Sequence, residues 1–111
     1  MDERLIAAAA AGDVAGIRAA LADGANVDAR DAHGRTAVLT ATVAGQTAAV
    51  AALLDAEANV DLQDDRLDNP FLYAGAEGLL DILRLVNEAG ADPALTNRFG
   101  GTALILSLIH I

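Results

Sequence analysis

Apolar positions recur at helical spacing in two successive stretches of the chain: Val50, Leu53 and Leu54 in one, Ile82, Leu83 and Val86 in the other. Such spacing sets an apolar stripe on one face of a helix. A shorter segment that also reads as helix precedes each stretch and stops at a glycine, Gly45 or Gly78. Polar stretches at residues 28–35, 61–68 and 94–101 separate one helical pair from the next. The whole pattern recurs without gaps: Gly12, Gly45 and Gly78 stand 33 residues apart, as do Ala8, Ala41 and Ala74, and Ala25, Ala58 and Ala91. Asn26, Asn59 and Asp92 share one register position, and Thr36, Asn69 and Thr102 another. A fixed period of this length marks a stack of supersecondary units, each unable to bury its apolar face alone.

Each unit begins with a residue type suited to capping. The oxygens of Thr36, Asn69 and Thr102 can accept from a free backbone N–H of the first helical turn, and Pro70 stands at the first helical position, where proline is tolerated. Gly24 and Gly90 are placed to close the second helix in a left-handed conformation. The expected fold is therefore all-α, a solenoid of stacked helix-turn-helix units.

These residues resemble the ankyrin repeat. The first half of the family pattern is filled by Asp31, Gly34, Thr36 and Ala41, with Val38 at the family's leucine. The second half appears as Leu21-Ala22-Asp23-Gly24-Ala25-Asn26-Val27-Asp28 in unit one. Unit two carries Leu53-Leu54-Asp55-Ala56-Glu57-Ala58-Asn59-Val60-Asp61, and unit three Val86-Asn87-Glu88-Ala89-Gly90-Ala91-Asp92. The resemblance runs from residue 1 to about 105 and implies a single domain, with repeats at about 1–31, 32–64 and 65–97 and a partial one at 98–105.

Three departures carry structural expectations. The family's histidine after Thr-Pro-Leu is Ile6, Leu39, Leu72 and Ile105 here, so the loops are expected to be held differently. Glu57 stands where Gly24 and Gly90 stand, in a left-handed cap that costs a non-glycine residue about 1 kcal/mol. Leu67-Asp68 replaces the Gly34-Arg35 turn, so the second connecting loop is expected to differ in shape from the first. In the fourth unit the register fails: a glycine is due at residue 111, which is Ile111. Residues 106–111, Leu-Ser-Leu-Ile-His-Ile, can be back-translated as CTG TCT CTT ATA CAC ATC, the transposon end used in tagmentation libraries. They are read as a non-native tail, on a C-terminally truncated array.

Composition narrows the function. Hydrophobic residues are 54% of the chain but aromatics only 3%, namely Phe71, Tyr73 and Phe99, so packing rests on Ala, Leu, Val and Ile. A net charge of −9 disfavours nucleic acid and anionic membranes as partners. With no cysteine there is no disulfide, thiolate site or Cys nucleophile. The amino-terminal segment lacks a secretory pattern and no stretch is long enough to span a bilayer, so a cytoplasmic monomer is expected.

Catalytic chemistry finds little to use. Ser107 is the only serine, and His33 and His110 the only histidines. Asp61, Asp64, Asp65 and Asp68 form the densest carboxylate group, but they lack the calcium-loop spacing and glycine, which favours a solvated loop over a cation site. No metal or cofactor is expected. Phe71 aligns with Val38 and reads as core, whereas Tyr73 aligns with Thr40 and reads as half-exposed.

The resemblance implies that loop tips and the open side of the inner helices contact a protein partner. Carried over by position, the candidates are Arg30, His33, Arg35, Gln63, Asp65, Arg66, Asp68, Tyr73, Glu77, Arg98 and Phe99, and Arg35, Arg66 and Arg98 together are expected to be essential for binding. The expectation is thus a protein-interaction module and not an enzyme. A regulatory part of a larger enzyme system, or a non-functional fragment of a longer array, remain the alternatives.

Overall fold

The computed structural model describes residues 2–96. The partial fourth unit, with Arg98, Phe99 and Thr102, and the segment 106–111 lie outside the described residues. Within them six helices follow in order: α1 (Asp2–Ala11), α2 (Val14–Ala22), α3 (Ala37–Val43), α4 (Thr47–Asp55), α5 (Pro70–Glu77) and α6 (Leu80–Glu88). No strand occurs among them, only an isolated antiparallel bridge between Arg30 and Thr36.

The helices form two layers. Helices α1, α3 and α5 pack in sequence as the inner layer, α2, α4 and α6 as the outer one, and each inner helix also packs on the outer helix that follows it. The alanines at the shared inner position, Ala8, Ala41 and Ala74, are buried, and their small side chains allow close helix approach. Leu5, Ile17, Val38, Val50, Leu53 and Val86 are fully buried at the seams between layers. No described helix is long and apolar enough to cross a membrane.

Local chemistry sets the helix ends as the sequence implies. Thr36 Oγ1 accepts from Leu39 N at 3.3 Å, and Asn69 Oδ1 from Leu72 N at 2.9 Å. Gly12, Gly45 and Gly78 take φ near +70°, which ends the inner helices cheaply only because glycine lacks a Cβ. Glu57 adopts the same region at φ 63° and carries its steric cost.

Successive units are tied by a carboxylate ladder. Asp28 Oδ1 accepts from Asn59 N and Asp61 Oδ1 from Asp92 N, both at 2.8 Å. At the start of the stack Asp2 Oδ1 takes the equivalent N–H, that of Asn26, at 2.9 Å. Where units two and three bury Ala37 and Pro70, unit one places Arg4, paired with Asp23 at 2.6 Å.

The second connecting loop corrects the expectation of a different shape. Asp31 Oδ1 accepts from His33 N at 2.8 Å and Arg35 N at 3.0 Å. Asp64 Oδ1 accepts from Arg66 N and Asp68 N, both at 2.9 Å, so the same turn forms. Leu67 takes the place of Gly34 at φ 61° against 77°. The carboxylate dictates the turn and Leu67 absorbs the strain. Leu67 is also 48% exposed, so little packing offsets that strain. Leu67→Gly is expected to stabilise the chain by about 0.5–1 kcal/mol, the left-handed strain removed less the entropy glycine adds to the unfolded state. A urea midpoint that falls instead would show the leucine side chain to be stabilising.

Candidate partner-binding surface

The inner helices are buried on one side and open on the other. Positions 33 apart in register bring Ala7, Thr40 and Tyr73 into one row, Ala10, Val43 and Ala76 into a second, and Ala11, Ala44 and Glu77 into a third. All nine are exposed or half-buried, while their helix neighbours Ala8, Ala41 and Ala74 are buried. The result is a strip of small, mostly apolar side chains across α1, α3 and α5. At its first-unit end a groove of about 390 Å³ is lined by Asp2, Glu3, Ile6, Arg30, Asp31 and Ala32.

The predicted contact residues divide into exposed and structural ones. Arg30 is exposed on the wall of that groove. His33 and Asp65 meet at the loop tips, with Asp65 N donating to the His33 carbonyl at 2.9 Å and Nδ1–Oδ2 at 3.6 Å. Their side chains are exposed, so the side-chain contact itself contributes little. The Arg66 residue is exposed, its N–H alone tied to the turn.

Two candidates prove to be structural braces. Arg35 Nε donates to Asp64 Oδ2 at 3.3 Å, and its side chain is 31% exposed against 1% for Asp64. Gln63 Nε2 donates to the carbonyls of Leu67 at 2.6 Å and Thr96 at 2.8 Å, anchoring the next loop. Replacing Arg35 with its fellow arginines therefore disturbs the scaffold as well as any partner contact. The reading of the aspartate group as a solvated loop is corrected in the same way. Asp64 is buried because it organises the turn, and Asp61 is an acceptor of the inter-unit ladder. Among the described residues no group of three or more carboxylate or histidine side chains is placed to hold a metal ion.

Tyr73, Glu77, Asp68 and Arg35 come together at the third-unit end of the strip. Burial raises the Tyr73 phenol above its ordinary pKa, Glu77 and Asp68 add to the rise, and Arg35 opposes it. The phenol therefore stays protonated at neutral pH and available as a donor. Phe71 is buried as expected, and Leu39 and Leu72, at the family's histidine position, are buried too. The loops are held by Asp31 and Asp64 instead. Sequence reasoning missed Ala7, Ala10 and Ala11; subtracting the period from Thr40, Val43 and Ala44 would have found them.

A family profile described as ankyrin repeats, three copies, matches residues 5–97. No curated protein matches the chain. Among solved structures, the crystal structure of an ankyrin repeat domain from Acinetobacter baumannii AYE is similar, at 46% sequence identity and a TM-score of 0.88. That match covers 93% of this chain and 53% of the other, so the chain spans about half the length of its structural relative. The period, the two-layer stack and the profile agree, and the chain belongs to the ankyrin repeat family.

Proposed function

We propose that the chain is a protein-interaction module that binds a partner across the strip on its inner helices and the adjoining loop tips. The observation that carries this reading is the uncovered strip itself. The three inner helices bury Ala8, Ala41 and Ala74 yet leave nine aligned positions exposed or half-buried, seven of them Ala, Val or Tyr. Small side chains on a rigid scaffold accept a partner with little ordering cost, and a half-buried tyrosine supplies an anchor of the kind that dominates interfaces. Binding, not catalysis, is the activity proposed, in a cytoplasmic setting and as a monomer.

The test places bulk and charge on opposite faces. Ala44→Arg fills the strip, whereas Ala48→Arg lies on the exposed side of α4. Proteins captured by the wild-type chain are expected to be lost with Ala44→Arg and retained with Ala48→Arg, with the helical circular dichroism of both unchanged. Retention by both variants would move the binding surface off the inner helices.

A further inference from the structure

We infer that the partner is a basic segment that lays apolar side chains on the alanine strip and places a lysine or arginine against Tyr73 and Glu77. This rests on the interaction-module reading and adds the chemistry of the partner to it.

Placement comes first. Tyr73 and Glu77 are one turn apart on α5, so their side chains share a face. Asp68 lies just before the Asn69 cap of that helix. A half-buried tyrosine ring beside a carboxylate is a receptor for a cationic group, which gains from the ring's electron-rich face and from charge-assisted hydrogen bonds. A neutral or acidic side chain gains neither.

Charge comes second. Glu77 and Asp68 lie near Tyr73 at this end of the strip, together with Arg35. Arg35 is already engaged, its Nε on the buried Asp64. Glu77 is exposed at the end of α5, and no residue in that helix's last turn is basic. At the opposite end Asp2, Glu3 and Asp31 line the groove with Arg30 as the basic residue among the described lining. The middle of the strip, Thr40, Val43 and Ala44, carries no charge. The surface is thus apolar at its centre and acidic at both ends, on a chain with 16 acidic and 7 basic residues. Complementarity selects a partner that is apolar in the middle and basic at its flanks.

The experiment is a selection of random displayed peptides on the immobilised full chain. Wild-type chain is expected to enrich peptides with Lys or Arg beside apolar residues, bound more weakly as NaCl rises. Glu77→Gln is expected to weaken these peptides about tenfold, the loss of one charge-assisted hydrogen bond. Glu77→Lys is expected to shift the selection toward acidic peptides, and Leu80→Ala, at an exposed position on α6, to change nothing. Enrichment of acidic or uncharged peptides, or full affinity in Glu77→Gln, overturns the inference. If those peptides are still displaced by Ala44→Arg, the module reading survives it. A library without any binder to the wild-type chain overturns both.

Discussion

Asp64→Ala is expected to lower the stability of the chain by about 2–4 kcal/mol, against about 0.5–1 kcal/mol for Asp31→Ala at the same place in the preceding loop. Both carboxylates accept two backbone N–H groups and set the same turn. They differ in surroundings. Asp31 is exposed, so water replaces the lost oxygen, whereas Asp64 is 5% exposed and also holds Arg35. Removing it leaves turn donors without an acceptor and a half-buried guanidinium without its counter-charge. Asp64→Asn keeps one oxygen for the turn and is expected to fall between the two. Urea unfolding ranks the three variants, and equal losses for Asp31→Ala and Asp64→Ala would show that the buried pair adds nothing.

A second large effect is expected at Leu53. Its side chain is fully buried in α4, the middle helix of the outer layer, which packs on both α2 and α6. Truncation to alanine is expected to remove about 2–5 kcal/mol, the usual range for a buried leucine. In a stack, stability is the sum of unit and nearest-neighbour terms. A defect in the central unit weakens both interfaces at once, so the thermal transition followed by circular dichroism is expected to broaden as well as shift. Leu80→Ala, 61% exposed on the next outer helix, is expected to stay within about 0.5 kcal/mol of wild type. An unchanged, sharp melt for Leu53→Ala would mean that the units do not depend on each other through this layer.

The architecture was legible because period, caps and apolar stripes all state the same plan. Gly12, Gly45 and Gly78 mark the helix ends, and Thr36 and Asn69 cap the helices that follow the loops. What the sequence hid was which polar residues are spent on the scaffold. Arg35 and Gln63 sit at loop positions that read as contacts, yet one closes on Asp64 and the other on carbonyls of two loops. Arg35 meets Asp64 and Gln63 meets Thr96 only once the loops are stacked, and residue type and register position do not tell such a brace from a contact residue. The Leu67 turn misled for a related reason. Its residues do not favour a left-handed turn, but Asp64, three positions earlier, enforces one. Asn69 shows the opposite limit: its oxygen caps α5 as its type implies, while its buried Nδ2 has no hydrogen-bond partner among the described residues.

The most direct measurement is hydrogen–deuterium exchange of the full chain with and without a partner selected on it. Added protection is expected in α1, α3 and α5 and in the loops at residues 30–36 and 63–69, with α2, α4 and α6 unchanged. Protection confined to the outer helices would contradict it and place the working surface on the other side of the stack.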